Sequence, residues 1–162
     1  MNEQNFCDLA RRDTERHLLI AVDESDNSRR AVMYVADFFN GFQDVFVTLL
    51  SIIPEPVDDL FPTEAERQRW LKNKESEMQK HLTAYKEILL GAGFLDSQVE
   101  TRLSIRPCTS IGDAILEEQE KLRSCIVVVG RRGISQSQEF LLGSTSSKIV
   151  HHARHCAVMV IE

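Results

Sequence analysis

Val129-Gly130-Arg131-Arg132-Gly133, followed after nine residues by Gly143-Ser144-Thr145-Ser146-Ser147, decides how this chain is read. An apolar run over residues 125–129 stops at Gly130, as a buried strand stops at a turn. Glycines spaced Gly-x2-Gly-x9-Gly let the backbone turn sharply and approach a ligand closely. A helix opening at Gly143-Ser144 would aim unpaired N–H groups at an anion. The stretch therefore reads as a phosphate cradle at the carboxyl end of a strand.

Working outward, the chain alternates strands and helices. Residues 17–23 form a short apolar run closed by Asp23, with Ser25, Asp26 and Asn27 as cap candidates for a helix. Val32, Val35, Ala36 and Phe39 recur at helical spacing, and Gly41 ends that helix. A second apolar strand over 45–53 stops at Pro54 and Pro56. Thr63 and Glu66 form a capping-box pattern ahead of a long helix striped by Leu71, Met78, Leu82, Tyr85 and Leu89. A third strand alternates Val99, Thr101, Leu103 and Ile105 with Glu100, Arg102, Ser104 and Arg106. Ser110 and Asp113 open a helix carrying Ile111, Ala114, Ile115 and Leu122. After the 125–129 strand and the glycine stretch, a helix is expected over about 144–155, with Ile149, Val150 and Ala153 inward. The last strand is 157–161.

Continuous apolar strands alternating with helices imply a parallel sheet covered on both faces, a three-layer α/β/α fold. The charged alternation of the third strand belongs at an edge, which favours the order 3-2-1-4-5 over 2-1-3-4-5. Right-handed crossovers then put the topological switch between strands one and four, with Asp23 and Gly130 at their carboxyl ends. The last strand is an apolar edge, which a second copy would cover; a homodimer is expected through residues 157–161.

The 162 residues suffice for one domain with a core, here 16–162 behind a polar arm at 1–15. The net charge of −6 argues against non-specific nucleic-acid binding. No apolar run approaches a membrane span. The four cysteines, Cys7, Cys108, Cys125 and Cys156, show no C-x2-C spacing, so a zinc or thioredoxin-type site is not expected. Cys125 and Cys156 read as small buried hydrophobes, and a reducing cytoplasm fits best. His151 and His155 lie four apart on a helix, but cations in a last turn suit the helix dipole, and no metal site is expected. No Gly-x4-Gly-Lys motif is present.

These residues resemble the universal stress protein family over 16–162. The resemblance lies in the strand ending Val22-Asp23, in Leu49-Leu50-Ser51-Ile52-Ile53, and in the full Gly-x2-Gly-x9-Gly-Ser spacing with Leu141-Leu142. It implies the adenine nucleotide alpha hydrolase-like form of the 3-2-1-4-5 sheet, a dimer through the last strand, and ATP binding. It also implies site residues. Asp23 would receive the adenine amino group, Ala21 and Val22 would line the same wall, and Ile52 would sit on the base. Val129 would lie beside ribose and base. Gly130, Arg132 and Gly133 would form the first phosphate turn, and Gly143, Ser144 and Thr145 would hold phosphates at the helix start. ATP, or ADP or AMP, is the implied ligand, with Mg²⁺ or Mn²⁺ bridging phosphates in such members.

The implied role is a nucleotide-dependent stress-response regulator with little or slow hydrolysis, since no catalytic residue stands out. Two alternatives stay open: a nucleotide-independent dimeric interaction module of the same fold, and a slow ATPase or autokinase. Asp23 also reads as a helix-entry cap, and Arg131 and Arg132 as a solvated pair. Glu24 would repel phosphates unless it points away.

Overall fold

The computed structural model of this chain describes residues 16–57, 60–132 and 142–162. The elements are β1 (Arg16–Ala21), α1 (Asp26–Phe39), β2 (Val45–Pro54), α2 (Glu64–Gly91), β3 (Val99–Arg106), α3 (Ile111–Leu122), β4 (Ile126–Gly130), α4 (Ser144–His152) and β5 (Ala157–Ile161). A short 3₁₀ turn, Asp96–Gln98, leads into β3. All strands are parallel, and the sheet order is β3-β2-β1-β4-β5. The charged alternation of β3 thus marks an edge, as expected.

Strand alternation divides the apolar residues between two cores. Leu18 and Ile20 of β1, with Val45, Val47 and Leu49 of β2, meet Val32 and Val35 of α1 and Met78, Leu82 and Leu89 of α2. On the other face, Leu19 and Ala21 join Leu50, Val127 and Val129 against Ile115 of α3 and Ile149 of α4. Leu19, Ile20 and Ile149 are wholly shielded from water. Each such side chain contributes about 1.5–3 kcal/mol through burial.

The helix starts follow the capping chemistry. Ser25, Thr63 and Ser110 are the N-caps, accepting from the backbone N–H of Ser28, Glu66 and Asp113 at 3.2, 3.2 and 3.3 Å.

Several expectations need correction. The buried stripe of α2 begins at Met78, while Leu71 is only half-buried; in the first turns it is Trp70 that packs against the core. Ile111 and Val150 are exposed, since α3 and α4 turn Ala114, Ile115 and Ile149 inward instead. The last helix ends at His152, with Ala153 as its C-cap, rather than near His155. His155 takes a left-handed φ of 56° in the turn into β5. Cys125 is disulfide-bonded rather than a plain buried hydrophobe. Cys156 is free and half-buried, and burial raises its thiol pKa.

Candidate functional site

In this sheet order the chain leaves β1 and β4 towards opposite faces, so a crevice opens between their carboxyl ends. Beyond β1, Val22 N–H still donates to Leu50 O at 2.8 Å, which carries the strand direction on to Asp23. Asp23 then turns the chain into α1. Its Oδ1 accepts from Ser25 N–H at 2.9 Å, from Ser28 Oγ at 2.6 Å and from Ser25 Oγ. Its own N–H donates to Ser28 Oγ at 2.9 Å. The carboxylate thus holds the first turn of α1, the cap role that the sequence left open beside the adenine one. The Tyr85 hydroxyl of α2 donates to Asp23 O at 2.8 Å. Burial, reinforced by the charge of Asp23, pushes that hydroxyl up to about 12.

Glu24 points away from the crevice. Its Oε1 lies 3.2 Å from Lys74 Nζ on α2, and this contact raises the ammonium pKa. The repulsion that a second carboxylate could cause is thereby reduced.

At the end of β4, Gly130 is required by a neighbouring helix. A Cβ there would lie 2.8 Å from Asn27 Cβ and 2.9 Å from its carbonyl carbon. Asn27 uses this close approach to donate from Nδ2 to Arg132 O at 2.9 Å. Arg131 ties three elements together. Its N–H donates to Ile161 O of β5 at 2.6 Å, and its carbonyl accepts from Gly143 N–H at 2.9 Å and Ser146 Oγ at 2.8 Å. At Gly143 a Cβ would lie 3.3 Å from Arg131 O and 3.4 Å from Arg132 Cα, so the backbone comes close there too. The two ends of the glycine stretch are therefore fastened to each other.

Gly143 is the N-cap of α4, and no side chain caps that helix. The first turn of α4 holds no acidic residue, whereas Asp26, Glu64 with Glu66, and Asp113 stand in the first turns of α1, α2 and α3. Among the described residues, the start of α4 is the one α-helix start left uncompensated by its own side chains. His151 and His152 lie in the last turn, with Nδ1 at 2.7 Å from Ser147 O and 2.9 Å from Lys148 O. Among the described residues no His, Cys, Asp and Glu cluster could hold a metal.

Of the residues implied for the site, Ala21, Ile52 and Val129 share the α3/α4 face. Val22 does not share a wall with Ala21: its side chain enters the α1/α2 core, because successive residues point to opposite faces. Gly130, Arg132 and Gly143 meet at the base of the loop, with Ser144 exposed and Thr145 half-buried at the helix start. Gly133 lies outside the described residues. Sequence reading gave Asn27 only a cap role and gave Ser146 none of its own. Its only signal for Ser146 was the serine run, which does not say which hydroxyl turns inward.

A model of the universal stress protein family matches residues 15–162. This chain belongs to that family. It is 27% identical over 148 residues to a universal stress protein of Staphylococcus aureus strain USA300, covering 91% of this chain and 84% of that one. Its fold is that of UspA from Lactobacillus plantarum, with a TM-score of 0.76, 19% identity, and coverage of 92% of this chain and 99% of that one. The universal stress protein from Archaeoglobus fulgidus, whose structure is a complex with dAMP, aligns with a TM-score of 0.61 at 19% identity over 91% of this chain and 98% of that one. Among the described residues, no helix is long and apolar enough to cross a membrane.

Proposed function

We propose that this universal stress protein binds an adenine nucleotide, ATP or else ADP or AMP, in the crevice between β1 and β4, and acts as a nucleotide-dependent regulator with little or slow hydrolysis. The observation that carries this reading is the start of α4. It is uncapped, free of acidic side chains, and pinned through Gly143 and Ser146 to Arg131 at the switch point. Backbone N–H groups at such a site suit phosphate oxygens. Ser144 and Thr145 add hydroxyls there, and Arg132 stands across the loop base. Ala21, Ile52 and Val129 supply apolar surface for base and ribose. The dAMP complex of the Archaeoglobus fulgidus protein supports an adenine nucleotide. Mg²⁺ or Mn²⁺ would join the bound phosphates.

The apolar edge β5, Ala157–Ile161, is the proposed surface for a second copy in a cytoplasmic homodimer. A second reading is favoured by a specific observation. Gly130 and the Oδ1 atom of Asp23 both have structural duties towards α1, so the fold would keep them in a nucleotide-independent interaction module.

Calorimetric titration of ATP into the purified protein, with and without Mg²⁺, separates the readings. Binding is expected. Ser144→Glu should weaken it at least about tenfold while leaving the fold intact, because an acidic residue suits a helix start but repels phosphate. No heat from the parent protein refutes the nucleotide reading and leaves the module. Steady phosphate release would instead mark a slow ATPase.

A further inference from the structure

Two consecutive carbonyls after β4 are held by two different helix starts. That of Arg131 accepts from Gly143 N–H and Ser146 Oγ at the start of α4. That of Arg132 accepts from Nδ2 of Asn27, in the first turn of α1 on the opposite face of the sheet. The Asn27 amide is oriented from its other side. Arg30 Nη2 donates to its Oδ1 at 2.7 Å, which leaves the NH₂ end turned to Arg132. The close approach of α1 to Gly130 is what brings so short a side chain within reach. The backbone held in this way lies against the helix terminus where phosphates are proposed to sit. A Cβ on Gly143, the N-cap of α4, would be 3.4 Å from Arg132 Cα.

From these contacts we infer that Asn27 is a positioning residue for the phosphates of a bound nucleotide. This rests on the nucleotide reading above. Asn27 acts through the Arg132 peptide rather than by touching the ligand. With one carbonyl tied to α4 and the next tied to α1, the backbone after β4 keeps a fixed distance from the α4 start. Phosphates then meet a cradle that is already ordered. Without the Asn27 donor the Arg132 peptide is free to turn, and ordering it becomes a cost of binding. That cost falls on ligands that carry phosphates and not on a nucleoside, which base and ribose contacts hold. The same turn of α1 is fastened to Asp23 through Ser25 and Ser28, so one helix start sets both ends of the crevice.

The test measures ATP and adenosine affinities by calorimetry for the parent protein, Asn27→Leu and Asn27→Ala. Leucine keeps the approximate volume of the side chain, alanine removes it, and neither can donate a hydrogen bond. Both substitutions leave the net charge unchanged, so no electrostatic effect on the phosphates enters. Each variant is expected to bind ATP roughly two- to tenfold more weakly, the range that one neutral hydrogen bond spans, and to bind adenosine as the parent does. Thermal unfolding without ligand shows that the variants are folded at the assay temperature; if leucine overpacks against Gly130, alanine carries the test. ATP binding as tight as the parent's overturns the inference and leaves the nucleotide reading standing. An equal loss of ATP and adenosine overturns it too, since that reports damage to the crevice as a whole. No ATP binding by the parent overturns the nucleotide reading and the inference together.

Discussion

Gly130→Ala tests whether the first glycine of the motif serves the fold before it serves a ligand. The new methyl group would sit 2.8 Å from Asn27 Cβ, 2.9 Å from its carbonyl carbon and 3.1 Å from its carbonyl oxygen. Ordinary carbon–carbon contacts begin near about 3.5 Å, so an overlap of about 0.7 Å must be relieved. Two of the three atoms are backbone, so a change of rotamer cannot relieve it; the first turn of α1 has to move. Overpacking of this kind costs about 1–3 kcal/mol. Gly130 is not in a positive-φ conformation, so the alanine also gains about 0.4–1 kcal/mol by restricting the unfolded chain. At the middle of both ranges the net loss is about 1.3 kcal/mol, a fall of about 3–5 °C in Tm for a chain of this size. Urea denaturation of the ligand-free protein gives the value directly, and an unchanged m-value would show that the surface exposed on unfolding is unaltered. Gly91→Ala is the control, since a Cβ there meets nothing within 4 Å. If Gly130→Ala is as stable as the parent without nucleotide, the close approach of α1 is not what requires glycine, and the ligand explanation regains the position.

Two further outcomes follow from the β1 turn. Burial pushes the Tyr85 hydroxyl up to about 12 from an ordinary value of about 10. A raised value in the fold means that its stabilising effect is full below about pH 10 and is lost as pH climbs through about 12. In an ultraviolet titration one of the two tyrosines should ionise late, and Tyr85→Phe should abolish that late step at a cost of about 1 kcal/mol for the bond to Asp23 O. A late step surviving in the variant would assign it wrongly. Asp23→Ala removes the acceptor for Ser25 N–H and Ser28 Oγ and should lower thermal stability by about 1–2 kcal/mol without nucleotide. A variant as stable as the parent would return Asp23 to a purely ligand-facing role.

The sheet could be read from the sequence because it rests on patterns confined to each strand. Continuous apolar runs in β1, β2 and β4 announced burial on both faces, and the alternation Glu100, Arg102, Ser104, Arg106 put β3 at an edge. Helix starts were legible for the same local reason: Ser25, Thr63 and Ser110 bond to atoms three residues away. Helical stripes were less secure. Leu71, Ile111 and Val150 fit the period, yet Leu71 is only half-buried and the other two are exposed, since period alone does not say which residues of a stripe meet a neighbour.

What the sequence determined by itself, then, was the order of elements and the place where the crevice must open, because a parallel sheet of this order has one switch point. Tertiary structure decided what each residue does there. Asn27 and Arg132 are 105 residues apart, yet their bond fixes the loop base and makes Gly130 necessary. Asp23 spends one oxygen on α1, Glu24 turns to Lys74, and Arg131 joins α4 to β5 and to Glu162. None of these pairings leaves a period or a spacing in the chain. They depend on which side chains arrive beside one another once the strands have paired, and a side chain with several bonding options keeps them all until its neighbours are in place.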